Sequence, residues 1–152
     1  MKIAIACDHG AFTHKEVLKK HLEEKGYEVL DFGTCSEDSM DYPDTVYPAA
    51  KSVANQDVDF GIVMCGTGIG ASIVANKVKG VRCSLIHDVK LAAITREHNN
   101  SNVLAIGARV VNEEEMLEIV KLWLTTPFSF DKRHVQRLNK ITEIEEEVCH
   151  EG

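Results

Sequence analysis

No stretch of this 152-residue chain approaches the roughly twenty apolar residues that a bilayer-spanning helix needs. A secretory signal is not readable either. Met1-Lys2-Ile3-Ala4-Ile5-Ala6-Cys7 is too short for the apolar part of one and runs straight into polar residues. The expectation is a cytoplasmic protein with no membrane partner. The five cysteines (Cys7, Cys35, Cys65, Cys83 and Cys149) are odd in number and contain no C-x-x-C pair. That argues against a disulfide framework and a zinc ribbon, and fits a reducing compartment. No H-E-x-x-H and no regular His/Asp spacing suggests a metal, so no metal ligand is assigned. Positive charge is scarce, with 17 Lys and Arg against 24 Asp and Glu and a formal charge of −7. Non-specific nucleic-acid binding is therefore not expected, and an anionic ligand would need a local basic cluster. Repeats, low-complexity segments and a second domain are also missing.

What is present is an ordinary globular balance, 44% hydrophobic and 27% charged, in a chain long enough to bury a core. Residues 1–152 read as one domain. Short runs rich in Val, Ile and Ala predict strands at Lys2–Cys7, Glu28–Asp31, Phe60–Met64, Val81–Ile86 and Val103–Ile106. Helical stretches alternate with them, at about Thr13–Lys25, Pro43–Asn55, Ile69–Lys77, Asp88–Glu97 and Glu113–Leu124. Gly26 and Gly80 stand where C-terminal glycines stand, and Asp88 and Asn112 are candidate N-caps. Alternating β-α units imply an α/β, Rossmann-like, three-layer fold: a five-stranded parallel sheet with helices on both faces. An appended C-terminal helix follows at about 131–148. Its apolar stripe of Val135, Leu138, Ile141, Ile144 and Val148 suits a subunit interface.

The sharpest local feature is Cys65-Gly66-Thr67-Gly68-Ile69-Gly70-Ala71. A cysteine ends a buried strand, and three glycines at alternate positions open a helix. Such a loop leaves backbone N–H groups uncovered beside the positive end of the helix, which suits an anion or an oxygen that becomes anionic during reaction. A thiol at that lip is expected to titrate below the reference of about 8.5 and to serve as base or nucleophile. The competing readings are a buried cysteine before a structural turn and a dinucleotide-binding loop. Gly66 to Ala71 nearly matches G-x-G-x-x-G/A, but it lies in the third β-α unit with no substrate domain after it. Asp8-His9-Gly10 follows the first strand, where Asp8 either caps the next helix or faces the same crevice as Cys65. His98-Asn99 ends a helix, where a histidine can simply complement the dipole. Arg109, Arg133 and Arg137 are the candidate anion clamp, the last two four residues apart with His134 between them.

Taken together, these residues resemble the type B ribose-5-phosphate isomerase family, which includes galactose-6-phosphate isomerase subunits. The resemblance runs from Ile3 to about Ile141. It is carried by Ala6-Cys7-Asp8-His9-Gly10, Asp41-Tyr42-Pro43-Asp44, Cys65 to Gly70, His98-Asn99, Asn102 to Arg109 and Arg133-His134-Val135-Gln136-Arg137. It implies an aldose–ketose isomerase that interconverts ribose 5-phosphate and ribulose 5-phosphate without metal or other cofactor. Cys65 would be the base that moves a proton between C1 and C2. The N–H groups of Gly66, Thr67, Gly68, Ile69 and Gly70 would hold the enediolate. His98, with Asp8 and Thr67, would help to open the sugar ring. Asn99 and Tyr42 would contact the sugar, and His9, Arg109, Arg133 and Arg137 the phosphate. The family's homodimers and homotetramers share sites between subunits. Ala11, Asn100-Ser101 and Phe130-Asp131-Lys132 depart from the family's usual spelling at the pocket rim. Arg109 favours a pentose phosphate, because the galactose-phosphate relatives tend to lack it. The alternatives are a hexose 6-phosphate isomerase (allose or galactose 6-phosphate), a non-catalytic sugar-phosphate module, and a thiol hydrolase with Cys65 as nucleophile.

Overall fold

Large and small apolar residues alternate along the central strands, and that alternation builds two unlike layers. The computed structural model describes residues 1–151, with side chains described as far as Val148. Gly152 and the side chain of Cys149 lie outside the described residues. The strands are β1 (Lys2–Cys7), β2 (Glu28–Asp31), β3 (Phe60–Cys65), β4 (Cys83–Leu85) and β5 (Val103–Gly107). They pair in parallel throughout, in the order β2-β1-β3-β5-β4. The helices are α1 (Phe12–Glu24), α2 (Pro43–Ala54), α3 (Ile69–Ala75), α4 (Val89–Asn99), α5 (Glu113–Thr125) and α6 (Lys132–Glu151).

Ile3, Ile5, Ile62, Met64, Leu104 and Ile106 point to one face and pack with Leu18 and Leu22 of α1, Ala92 of α4, and Met116, Ile119 and Trp123 of α5. Each such side chain contributes about 1.5–3 kcal/mol through burial. The other face is lined by Ala4, Ala6, Val63, Cys65, Val103 and Ala105, small enough for α2 and α3 to pack closely. Trp123 is fully buried. Its ring meets Phe60 edge-on at 5.1 Å, and its indole N–H donates to Ser101 Oγ at 2.8 Å. This is the three-layer parallel fold expected from the sequence.

The differences from expectation are local. β4 is limited to Cys83–Leu85, because the Arg82 N–H bonds the Asn102 side chain instead of a strand. α3 ends at Ala75 rather than at Lys77. The Asn76 amide stops it by bridging to the N–H and the carbonyl of Cys83 at 2.8 and 3.0 Å. Gly26 does follow α1 with a φ of +89°, and Asp88 and Asn112 do cap α4 and α5. Helix α6 lies against α4 and is tied to the turn after α3 by Lys79–Glu146 at 2.7 Å and by Gly80 N–H on Glu145 at 3.0 Å. Its stripe is half-buried at Val135 and Leu138 but open at Ile141, Ile144 and Val148, 43%, 60% and 62% exposed.

One buried ion pair fastens α1 to the sheet. Lys15 has no exposed surface, and its ammonium donates to Asp31 at 2.7 Å and to the Thr34 carbonyl at 2.8 Å. Burial works against the Lys15 charge, but the hydrogen bonds to Asp31 and Glu16 outweigh it and raise the pKa. Burial likewise opposes the Asp31 charge, and the Lys15 and Gly33 donors outweigh it and hold the carboxyl below its ordinary range. A depressed acid stabilises the fold above its unfolded pKa and loses that contribution as pH falls through the folded pKa. Asp31→Asn is therefore expected to destabilise the protein near pH 7 by up to about 3 kcal/mol, because it leaves the buried ammonium with only the half-exposed Glu16 carboxylate. The gap to wild type should narrow below about pH 4, as wild-type Asp31 itself protonates. Urea titrations at the two pH values measure both effects.

Candidate active site

Strands β1, β3 and β5 are neighbours, so the loops that leave their carboxyl ends meet at one edge of the sheet. These loops carry Asp8-His9-Gly10, Gly66 to Gly70 and Ala108-Arg109. The Asp8 N–H donates to the Met64 carbonyl, Ala108 N–H to the Cys65 carbonyl and Arg109 N–H to the Gly66 carbonyl, at 3.2, 3.0 and 2.9 Å.

Cys65 closes β3, only 5% exposed, with the Gly68 N–H directed at its sulfur at 3.2 Å. Burial pushes Cys7 up to about 11 and Cys83 up to about 12, so neither has an ionised sulfur near neutral pH. Gly68 makes the turn with a φ of +78°, and a Cβ there would fall 2.6 Å from Leu85 and 2.8 Å from the Ile106 backbone. A Cβ on Gly66 would meet the Arg109 guanidinium at 3.1–3.3 Å, and one on Gly70 would strike the Tyr42 ring at 2.5 Å. The glycines are thus the floor on which Arg109 and Tyr42 lie.

Not all loop N–H groups face outward. Gly68 N–H is engaged by Cys65, and Ile69 N–H by Thr67 Oγ1 at 3.3 Å. Gly70 and Ala71 head α3, at positions that have no partner within a helix. Thr67 Oγ1 accepts from Ile69, which leaves its own proton free to donate outward. Asp8 caps the turn by accepting from Gly10 N–H at 3.0 Å. His9 Nδ1 accepts from the Met40 N–H at 3.2 Å, so its Nε2 carries the proton and serves as a donor. The Arg109 guanidinium has no ion-pair partner among the described residues.

The remaining candidates lie elsewhere. Helix α4 runs back from the carboxyl edge of the sheet, and its end at His98-Asn99 stands just before β5 begins at Val103. Arg82, which precedes β4, donates to the Asn99 and Asn100 carbonyls at 3.1 Å, fixing that end at the opposite edge. Arg96 reinforces it, reaching Thr126, Asn100 and Ser101 oxygens at 3.2, 2.9 and 2.6 Å. Helix α6 starts beside it, where His134 stacks on His98 with ring centroids 4.2 Å apart. Arg133, Gln136, Arg137 and Lys140 line one exposed pocket on α6. The length of β5 separates the two groups by about 15 Å. One chain therefore holds the candidate residues in two separate groups. Cys65, Thr67, Asp8, His9, Tyr42 and Arg109 are at one edge, and His98, Asn99, Arg133 and Arg137 at the other.

Sequence reasoning attached no role to His87. Its Nε2 accepts the Gly107 N–H at 3.1 Å, and burial lowers its pKa, consistent with a neutral acceptor. Its place after β4, at the same edge as the other loops, was the available signal.

Comparison with known proteins agrees over nearly the whole chain. The family model described as Ribose/Galactose Isomerase matches residues 3–141. A Bacillus subtilis protein provisionally named as a sugar phosphate isomerase is 49% identical over 96% of this chain and 98% of its own. Ribose-5-phosphate isomerase B of Escherichia coli is 45% identical over 95% of this chain and 97% of its own. The solved structure of Clostridium thermocellum ribose-5-phosphate isomerase B superposes with a TM-score of 0.95 at 45% identity, covering 97% of this chain and 99% of that one.

Gly107 offers a direct test of the loop. A Cβ there would lie 2.4 Å from the Thr67 carbonyl oxygen, a backbone atom with nowhere to swing. Gly107→Ala should displace the Cys65 loop, lowering turnover by ten- to a hundredfold, on the order expected for an ångström of misplacement. Its stability loss should stay near the roughly 1–3 kcal/mol of ordinary overpacking. Turnover assays beside urea titrations read the two effects separately.

Proposed function

The chain belongs to the ribose/galactose isomerase family and is a sugar-phosphate isomerase of the ribose-5-phosphate isomerase type; from that premise we propose that it interconverts ribose 5-phosphate and ribulose 5-phosphate through an enediolate, with Cys65 as the base. The observation that carries this reading is a nearly buried thiol at the head of a glycine turn whose Gly66 lies against the Arg109 guanidinium, a cation with no carboxylate partner among the described residues. Moving a proton between the carbons beside a carbonyl needs one base and an oxyanion site.

Cys65 takes the C2 proton of the aldose and returns it to C1, while the hydroxyl proton passes from O2 to O1 across the cis-enediolate. The Gly70 and Ala71 N–H groups hold the enediolate oxygens, and the Gly68 N–H keeps the sulfur in place. Arg109 and His9 grip the phosphate from one side, and Arg133 and Arg137 from the other. The phosphate does not react; its binding aligns the sugar. His98 moves the proton of ring opening with Asp8 and Thr67 beside it, while Asn99 and Tyr42 hold the sugar.

These groups converge only if two chains assemble, the Cys65 edge of one meeting the His98 edge of another. The exposed apolar residues support such a contact: Ile69 and Ile73 on α3 are 52% and 55% exposed, as are Ile141, Ile144 and Val148 to similar extents on α6. A homodimer with two shared sites, or a tetramer made of such dimers, satisfies both half-sites.

Cys65→Ala should abolish ketose formation from ribose 5-phosphate, a loss of at least the 10²–10⁴-fold that general-base catalysis contributes. Affinity for ribose 5-phosphate, read by calorimetry, should remain. Substrate should slow the alkylation of Cys65 but not that of the exposed Cys35. A panel of aldose phosphates assayed in parallel, including allose and galactose 6-phosphates, ranks the substrates. Near wild-type turnover by Cys65→Ala would remove the thiol from the reaction.

A further inference from the structure

A closed circuit of contacts joins the last turn of α4 to the first turn of α6. The Ser129 N–H donates to the Glu97 carbonyl at 3.2 Å. Ser129 Oγ lies 2.7 Å from His134 Nδ1 and also accepts the Asp131 N–H at 3.1 Å. The His134 ring then lies against the His98 ring, centroids 4.2 Å apart and planes 30° from parallel. The circuit leaves α4 at residue 97 and returns to it at residue 98. His134 is 6% exposed, whereas His98 is open to solvent. The buried ring is the fixed member of the pair, and the exposed ring is the one it steadies. Asp131 in turn accepts the Arg133 N–H at 2.9 Å, so the same loop sets the start of the helix that carries Arg133 and Arg137.

We propose that His134 is a positioning residue, which holds the ring plane of His98 and sets it in register with Arg133 and Arg137. The inference rests on the reading of His98 as the ring-opening group. An unrestrained histidine on a surface turn samples several rotamers, and ring opening needs its nitrogen within hydrogen-bond reach of the sugar. The stack selects one arrangement before substrate arrives. Histidine suits position 134 because it combines a flat face for the stack with a nitrogen for Ser129.

The two attributes separate by mutation. His134→Asn keeps a polar group toward Ser129 and removes the ring; His134→Phe keeps the ring and removes the nitrogen. Ribulose 5-phosphate provides the control substrate. Its C5 oxygen carries the phosphate, so it forms no furanose, and solvent exchange of its C1 proton needs no ring opening. His134→Asn should lower kcat on ribose 5-phosphate by about tenfold, as slight misplacement does. KM and the exchange rate should stay within about twofold, and His134→Phe should recover most of kcat. A raised KM with unchanged kcat would overturn the proposal in favour of a phosphate ligand. A parallel fall in exchange would overturn it in favour of general support of the site, as would a His134→Phe as impaired as His134→Asn. Proton NMR of the His98 ring tests the stack without turnover. Its signals should be shifted upfield in wild type and His134→Phe and return toward free histidine in His134→Asn; equal shifts in all three would overturn the proposal. An active His98→Ala enzyme would instead overturn the role of His98, with the upfield shift in wild type still standing.

Discussion

Every strand of this sheet runs the same way, and the arrangement of the chemistry follows from that. Parallel strands must be joined by helices that return across a face, so the strand ends gather at one edge and the helix ends at the other. Cys65 ends a strand and His98 nearly ends a helix. No adjustment of loops brings them together within one chain, because β5 and α4 lie between. The candidate phosphate-binding arginines are divided in the same way, with Arg109 following β5 and Arg133 and Arg137 opening α6. On the proposed reading each edge is half of a site, completed when a second copy presents its opposite edge.

Within the Cys65 edge, the chemistry depends on what the glycines leave out. Gly68 and Gly107 let the loop cross the end of β5 with the Thr67 carbonyl against Gly107. Gly66 and Gly70 give their surfaces to Arg109 and Tyr42. The result is a sulfur held by a backbone donor, in a loop that carries the Arg109 guanidinium on Gly66 and leads into the N-terminal N–H groups of α3. His87 completes the frame by fixing the Gly107 N–H. The opposite edge is built by side chains instead. Arg82 and Arg96 grip the carbonyls at the end of α4, and Ser129 and His134 tie that end to α6.

Much of this was legible in the sequence. Val-, Ile- and Ala-rich runs marked the central strands β1, β3 and β5, because buried parallel strands are apolar throughout. Asp88 and Asn112 marked helix starts through their capping chemistry. The cysteine followed by alternating glycines pointed to the loop, since few other roles need so many missing side chains. The end of β4 and of α3 was not legible, because both depend on the Asn76 and Asn102 amides finding backbone groups that only the fold brings near. The stack of His98 on His134 was hidden for the same reason, as it joins residues 36 positions apart. The separation of His98 from Cys65 could have been read: Asn99 stands just before a strand begins, and that alone assigns it to the far edge.

Complementation tests the divided site most directly. Cys65→Ala and His98→Ala proteins, each inactive, are unfolded and refolded together. A mixed dimer then holds one site with both residues intact and one with neither. Random pairing of equal amounts makes half the dimers mixed, so about a quarter of wild-type turnover is expected to return. No recovery, with mixed dimers present by mass spectrometry, would mean that Cys65 and His98 of each site belong to one chain, and the two-edge arrangement would be wrong.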